Sequence, residues 1–357
     1  MSSPRDSSSG KPTTTRAPKR VARPTMNDVA KASGASLKTV SRVVNGEPGV
    51  RPELIEKVNR AVKKLNYRHN QTAGSLRRIG GRTRTIGLLL EDISNPFSAS
   101  LHRSIEDYAR ERNVEIFAGS LDGDPDREAS LIQALTTRRV DGLIIVPSSQ
   151  DHKYLEIERR TGIHFVFVDR PAENFEADTV IATNREGTRA AVQTLIENGH
   201  KRIAYLGDFK SIYTAEERYQ GFVAAMKAAK LPIDKSLVHL GFRKRDEIAV
   251  KVLTMFNSDD PPTAIFSAQN LITLELIHTL REIGASKSCA LIGFDDLPLA
   301  DLIEPAISLV TQDIPAMGRE AAEMLFSRLD GNIESFHTKV VETTFTQRAS
   351  GLIRPKK

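Results

Sequence analysis

The chain has 357 residues, 39% of them hydrophobic and 27% charged, so it is long enough for two or three domains with their own cores. No apolar run approaches 18 residues, which excludes an obvious membrane span. The N-terminus is basic and rich in Ser, Thr and Pro, and it lacks the apolar stretch of a secretory signal, so we expect a cytoplasmic protein. The single cysteine, Cys289, excludes an internal disulfide and a cysteine-based metal site.

The charge is distributed unevenly along the chain. Residues 1–84 hold 19 Lys and Arg against 5 Asp and Glu, a net of +14, whereas the remaining residues hold 32 against 40, a net of −8. A basic leader on an acidic body indicates that the first part binds a polyanion. The alternative interpretation is a solubilising tail.

The first 67 residues are predicted to form a disordered tail and three short helices. Residues 1–24 lack periodicity and most large apolar side chains, so we expect a disordered basic tail. In the segment 25–67, Thr25 is a candidate N-cap with Asp28 in the capping-box position, and Ser36 is the candidate cap of a second helix. Pro52 fits the first turn of a third, strongly amphipathic helix.

The predicted second helix, within "SLKTVSRVVNG" (residues 36–46), has two different faces. At 3.6 residues per turn, Val40, Val43 and Val44 lie on one arc. The opposite arc carries Leu37, Lys38, Ser41, Arg42 and Asn45. Because a tight Gly-containing turn joins this helix to the one before it, the segment is typical of a helix-turn-helix unit whose polar arc enters a major groove.

The segment 68–84 is basic and polar, with Leu76 as a large aliphatic residue in its middle. A helix of about eight residues is marginal alone in water, and Gly74 weakens it further. We therefore expect a hinge helix and linker that is coil in the free protein and folds on a partner.

From residue 85 onward, apolar runs alternate with amphipathic stretches. Such alternation predicts buried parallel sheets and an α/β architecture, and the length favours two similar lobes. Folds of this kind bind ligands at the carboxyl ends of their strands. The predicted strands lie in "TIGLLL", "EIFAG", "GLIIVP", "HFVFVD", "TVIAT", "RIAYLG", "AIFSA", "ALIGF" and "ISLVT", and the predicted helices near 98–112, 127–139, 186–198, 215–229 and 271–283.

Several motifs together resemble the LacI/GalR family of bacterial transcription regulators. They include "TMNDVAKASGASLKTVSRVVNG", "SNPF", "FVDRP", "RYQGF", "IGFDD" and "MGREAAEML", and the resemblance runs from about Thr25 to the C-terminus. It implies an all-α helix-turn-helix head and an α/β two-lobed effector domain like the type I periplasmic binding proteins. It also implies a homodimer, sometimes a tetramer, on double-stranded operator DNA, with a sugar or sugar derivative between the lobes.

The resemblance further implies where the chain passes between the lobes of the effector domain, 85–357. The crossovers are expected near 182–184, 295–312 and 338–340. The N-lobe would then comprise 85–182 and 312–338, and the C-lobe 183–311 and 339–357.

The same resemblance assigns residues to DNA. Leu37, Lys38 and Arg42 occupy the base-reading positions, and Arg42 can contact guanine O6 and N7 bidentately. The expected phosphate contacts are Thr25, Ser36, Thr39, Ser41 and Asn45. In the hinge, Asn70, Ala73 and Leu76 are expected at the DNA, with Leu76 as a wedge in the minor groove. The family often has a proline where this chain has His69, which leaves the start of the hinge helix less fixed.

For the effector pocket, the resemblance points first to Arg218 and Asp295, expected on opposite walls and able to share the hydroxyls of a polyol. The other expected pocket residues are Phe97, Asp169, Arg170, Asn184, Phe242 and Gln269. Arg170 is compatible with a carboxylate or phosphate on the ligand, or with pairing to a neighbouring acid. For each of these residues, a structural salt bridge or loop cap is the alternative.

Other classes of protein find little support. Asp122, Asp124 and Asp126 have the spacing of a calcium loop, but the sixth and twelfth positions do not fit, so these acids are expected to cap a helix near Pro125. We find no zinc spacing, nucleotide-binding motif or catalytic constellation, and we expect no cofactor, metal or catalytic residue. The sequence thus predicts a repressor of a carbohydrate-catabolism operon, released from or recruited to its operator by the effector. A transporter's solute-binding protein and an enzyme are the alternatives.

Overall fold

A computed structural model of the chain describes residues 24–67, 82–242 and 244–356. The chain divides into two compact units, residues 1–81 and 82–357, here called the head and the body. The predicted tail up to residue 23 and the hinge residues Asn70, Ala73 and Leu76 lie outside the described residues. Within those ranges, no helix combines the length and the hydropathy needed to cross a bilayer.

The head contains the three predicted helices: α1 (Met26–Ser33), α2 (Leu37–Val44) and α3 (Pro52–Leu65). The Thr25 side chain accepts a hydrogen bond from the Asp28 backbone N–H, and the Asp28 carboxylate accepts one from the Thr25 N–H at 2.7 Å. Gly34 ends α1 with φ of 68°, a conformation that favours glycine. The helices share a small core of Val29, Val40, Val58 and Ala61.

The body contains two six-stranded sheets, one in each lobe. The N-lobe sheet is entirely parallel and has the order β11-β5-β4-β3-β1-β2. Its strands are β1 (Thr85–Leu90), β2 (Glu115–Ser120), β3 (Gly142–Ile145), β4 (His164–Val168), β5 (Asp178–Ala182) and β11 (Thr338–Val341).

The C-lobe sheet has the order β12-β10-β9-β8-β6-β7, and only β12 runs antiparallel to its neighbour among the described pairs. Its strands are β6 (Ile203–Gly207), β7 (Val238–Leu240), β8 (Ala264–Ser267), β9 (Ala290–Phe294), β10 (Ser308–Gln312) and β12 (Thr343–Thr346).

Helices cover both faces of each sheet, because the central strands are apolar on both sides. In the N-lobe these are α4 (Pro96–Glu111), α5 (Pro125–Thr137), α6 (Leu155–Arg160) and α11 (Ile314–Leu329). In the C-lobe they are α7 (Asn184–Glu197), α8 (Tyr213–Ala228), α9 (Arg245–Phe256), α10 (Asn270–Glu282) and α12 (Ala349–Leu352), with a short 3₁₀ turn at Lys235–Leu237. As expected, an acid caps α5: the Asp124 carboxylate accepts from the Asp126 N–H at 2.9 Å.

The chain passes between the lobes at three places, two of which differ from the expected boundaries. The first crossover follows Ala182 at the end of β5. The second follows Gln312, which pairs with Thr343 in the C-lobe sheet, so assigning residue 312 to the N-lobe was wrong. The third lies between Val341 and Thr343: residues 339–341 pair with β5 in the N-lobe sheet, and placing them in the C-lobe was wrong.

Candidate functional site

The second helix of the head presents the polar arc that its sequence predicts. Val40 is buried against α1 and α3, and Val43 and Val44 pack against the same core. Lys38 and Arg42 are exposed, and Leu37 is 48% exposed although it is a large apolar side chain. The helix therefore exposes an apolar and two cationic side chains on a rigid support.

Arg42 contacts Glu47, for which the sequence predicts no role. The Arg42 Nε atom lies 3.7 Å from the Glu47 Oε2 atom, and the two side chains are 45% and 46% exposed. An ion pair this exposed contributes little free energy because water competes for both charges. The guanidinium can therefore exchange this carboxylate for another hydrogen-bond acceptor.

The side chains expected at phosphates serve as helix caps or lie beside them. The Ser36 hydroxyl accepts from the Thr39 N–H at 3.1 Å and lies 2.9 Å from the Thr39 hydroxyl. At the other end of α2, the Asn45 side-chain amide donates to the Ser41 hydroxyl at 3.2 Å. Ser36, Thr39, Ser41 and Asn45 thus lie towards the two ends of α2, whereas Thr25 caps α1. Their local hydrogen bonds also fit the alternative of structural caps.

The body has a cleft between its lobes, at the carboxyl ends of the strands. An outer chamber of about 880 Å³ continues into an inner compartment of about 130 Å³. Residues from both lobes line the two spaces, and Glu91, Arg170, Asp208, Ile212, Gln269 and Leu271 line both. The outer volume lies near the upper end of the range typical for small-molecule sites.

Arg218, from α8, lies at the centre of a buried hydrogen-bond network in the inner compartment. Its Nε atom donates to the Asn184 side-chain oxygen at 2.7 Å, and its Nη1 atom donates to the Ala268 carbonyl at 2.7 Å and to Asp295 Oδ2 at 3.1 Å. The guanidinium carbon lies 3.8 Å from the centre of the Phe294 ring. Arg218 and Asp295 both belong to the C-lobe, so the expectation that they face each other from opposite walls was wrong.

Asp295 has a second partner on β10. Its Oδ1 atom accepts from the Gln312 side-chain Nε2 at 2.7 Å, so each carboxylate oxygen has one donor. The Gln312 Oε1 atom is buried and has no hydrogen-bond partner within the described residues. Gln312 lines the inner compartment, so this oxygen is an acceptor left over at the site.

Arg170, on the N-lobe wall, is engaged by acids. Its Nη2 atom contacts the Glu91 carboxylate, its Nε atom donates to Asp169 Oδ2 at 3.2 Å, and its Nη1 atom donates to the Pro147 carbonyl at 3.2 Å. Burial raises the pKa of Asp169, while the neighbouring Arg170 acts in the opposite direction. Of the two options left open for Arg170, the structure shows pairing with neighbouring acids.

The remaining expected residues lie around the same cleft. Phe97 and Asp169 line the inner compartment, Phe242 lines the outer chamber, and Gln269 lines both. Asn184 does not line either space. It is buried behind Arg218, and its side-chain amide donates to the Ala182 carbonyl at 3.2 Å.

Several cleft residues are not among those predicted from the sequence. Glu91 and Asp208 directly follow β1 and β6, so the strand-end rule that located Asp169 and Asp295 could also have found them. Asn95 and Asn270 form a reciprocal amide pair across the cleft: the Asn270 Nδ2 atom donates to Asn95 Oδ1 at 2.8 Å, and the Asn95 Nδ2 atom donates back at 3.4 Å. This pair joins the N-terminus of α4 to that of α10, and no sequence pattern signals it.

The Asp, Glu, His and Cys side chains of the described ranges do not cluster as metal ligands do. No group of three or more His, Cys, Asp or Glu side chains within them could hold a metal ion. Cys289 is buried in the C-lobe, and burial raises the pKa of its thiol to about 12.

Comparisons with known proteins agree with this architecture. Residues 25–70 match the family described as bacterial regulatory proteins, lacI family, and residues 192–351 match the periplasmic binding protein-like domain. The transcriptional regulator EndR of Paenibacillus polymyxa is 30% identical over 313 residues, which cover 86% of this chain and 91% of that protein. The transcriptional repressor PurR of Aliivibrio salmonicida is 29% identical over 325 residues, covering 89% and 97%.

Among solved structures, the complex of the transcriptional regulator CelR with cellobiose is 29% identical. The structural match covers 92% of this chain and all of the CelR chain, with a TM-score of 0.67.

A helix-turn-helix head on a two-lobed periplasmic-binding-protein-like body defines a class of DNA-binding regulators that carry a ligand-binding domain. This chain belongs to the LacI family of bacterial transcription regulators. It is a DNA-binding transcriptional repressor and not an enzyme.

Proposed function

We propose that this repressor controls a carbohydrate-catabolism operon and leaves its operator when a small sugar-like effector binds between the lobes. The network of Arg218, Asn184 and Asp295 in the inner compartment carries the proposal, because it fixes a guanidinium and a carboxylate beside a space for a polyol. The similarity to the CelR–cellobiose complex supports a carbohydrate.

The proposed effector contacts come from both lobes. The Arg218 Nη2 atom takes no part in the hydrogen bonds to Asn184, Ala268 and Asp295, and it would donate to a ligand hydroxyl. Phe97 would face an apolar side of the sugar ring. Asn184 would act through Arg218, since it is buried behind the guanidinium. The full proposed set is Phe97, Asp169, Arg170, Asn184, Arg218, Phe242, Gln269 and Asp295.

We propose that the head reads DNA through Leu37, Lys38 and Arg42 in the major groove. Thr25, Ser36, Thr39, Ser41 and Asn45 would contact phosphates, and Asn70, Ala73 and Leu76 would contact the DNA from the hinge. A homodimer in the cytoplasm, which the family resemblance implies, would place two heads on the half-sites of a pseudo-palindromic operator.

The effector can change operator occupancy only through its different affinities for the DNA-bound and the free forms of the protein. A ligand bound in the cleft would alter the contacts between the two lobes of the body. They include the Asn95–Asn270 pair and the hydrogen bond from the Gln150 side chain to the Ser211 carbonyl at 3.3 Å.

A gel-shift titration of the operator complex with a panel of sugars tests the proposal. We expect at least one sugar to release the DNA at a saturable concentration. A sugar that instead tightens the complex would reverse the sign to corepression, and a panel with no effect would contradict effector control.

Arg42→Ala should weaken binding to the specific operator by ~1–3 kcal/mol and relax base preference at one position of each half-site, because a bidentate contact to guanine is lost. Competition binding against a set of single-base operator variants measures both effects. Arg60→Ala, which removes an exposed charge from α3, is the control for the loss of one positive charge. An equal loss on operator and random DNA would show that Arg42 contacts phosphate only.

A further inference from the structure

The inner compartment has an unbalanced charge. Two cationic side chains line it, Arg170 and Arg218, and both already contact carboxylates. The carboxylates among the described residues that line it are Glu91, Asp92, Asp169, Asp208 and Asp295. The space therefore carries an excess of negative charge.

Asp208 is a carboxylate in this space that has no ion-pair partner among the described residues. Its Oδ1 atom accepts from the Phe209 N–H at 2.7 Å, and its Oδ2 atom receives only a long contact of 3.4 Å from the Gln269 amide. No Lys, Arg or His within the described residues forms a salt bridge with it. Burial raises the pKa of Asp208 and the nearby Glu91 acts in the same direction, whereas the Phe209 N–H, Arg170 and Arg218 act against it.

The polar atoms of the inner compartment that have few or no hydrogen-bond partners are acceptors. Gln312 Oε1 is buried without a partner, and its amide orientation is fixed because the Nε2 atom must face the Asp295 carboxylate. Asp208 Oδ2 has only its long contact, and Asp169 is held by Arg170 through one oxygen. A ligand that satisfies these atoms must bring hydrogen-bond donors.

We propose that the inner compartment of the cleft selects an uncharged or amine-bearing carbohydrate over phosphorylated and uronic sugars, with Asp208 as the specificity-determining residue. This inference rests on the proposed function, since it assigns the chemical class of the effector bound at the same site. Hydroxyl and ammonium groups can donate to the partly exposed Asp208 carboxylate. A fully ionised phosphate or a carboxylate has no donor for this carboxylate, and it would meet the like charge of Asp208 in a partly desolvated space.

The test uses the full chain and a panel of matched sugars. For each of several hexoses and disaccharides, the neutral sugar is compared with a phosphate ester, a uronic acid and a 2-amino sugar of the same skeleton. Thermal stabilisation identifies the binding skeleton, and titration calorimetry gives the affinity of each derivative. We expect the neutral or amino form to bind at least tenfold more tightly than either anionic form.

Asp208→Asn keeps the size of the side chain and removes its charge. We expect it to reduce the preference for the neutral over the phosphorylated form severalfold, whereas Asp301→Asn, an exposed carboxylate outside the cleft, should leave the preference unchanged. An anionic sugar as the tightest ligand, or an unaltered preference in Asp208→Asn, overturns the inference. If no compound on the panel stabilises the protein or alters its operator complex, the effector site itself is refuted, which is a separate failure.

Discussion

Arg218→Ala should yield a protein that holds its operator and no longer responds to the effector. Arg218 is the shared donor to Asn184, Ala268 and Asp295, so alanine removes every one of these contacts and leaves buried acceptors without a partner. Breaking this buried pair within the C-lobe costs ~3–5 kcal/mol of folding stability, and removing the guanidinium also deletes the proposed hydrogen bond to the effector. Calorimetry with the identified sugar measures the loss, and effector titration of the operator complex measures the missing response.

Two further variants separate this effect from a general loss of charge. Arg218→Lys keeps the positive charge but lacks the planar fork needed for several simultaneous partners, so it should also lose most of the response. Arg185→Ala breaks the ion pair between Arg185 and Glu217. Because the Arg185 side chain is half-exposed, this variant should leave the effector response intact. If the effector concentration that releases the wild-type protein from DNA also releases Arg218→Ala, the effector pocket lies elsewhere.

Arg328→Ala should destabilise the body by ~3–5 kcal/mol, because it leaves Asp178 as a buried charge without its arginine. The Arg328 Nε and Nη2 atoms donate to the two Asp178 oxygens at 2.7 and 3.0 Å, and Nη1 donates to the Glu334 carbonyl at 2.5 Å. These contacts join α11 to the start of β5. Urea unfolding of the full chain, followed by far-ultraviolet circular dichroism, measures the change in free energy.

The matched control for this variant is Arg103→Ala on α4. Arg103 pairs with Asp107 at 2.9 Å, but its side chain is 61% exposed, so the expected loss is ~1 kcal/mol or less. Similar losses in the two variants would contradict the assignment of Arg328 as a buried support of the N-lobe.

Much of the fold could be predicted from the sequence because its central strands are continuous apolar runs. "TIGLLL" and "ALIGF", for example, correspond to β1 and β9, which are buried on both faces. The strands that were missed are β7, β11 and β12. Each has only three or four residues and lies at a sheet edge, and β11 is largely exposed, so neither hydrophobicity nor alternation marks it.

Only part of the candidate site could be predicted from the rule that α/β folds bind ligands at the carboxyl ends of their strands. That rule and the family motifs located Asp169, Arg170 and Asp295, but neither indicates which wall a side chain occupies or which partner it selects. The pairing of Arg218 with Asp295 within one lobe depends on the packing of α8 against the C-lobe sheet. The Asn95–Asn270 pair joins residues 175 positions apart, which no local pattern encodes.

The interleaved path of the chain also affects how the protein is synthesised. A nascent chain that ends at Gln312 lacks β11 and β12, the edge strands of both sheets, and it lacks α11, which covers one face of the N-lobe. Neither lobe can therefore finish folding until part of the last 45 residues, about an eighth of the chain, has been synthesised, and both expose apolar surface until then. A late nonsense mutation would damage both halves of the body together.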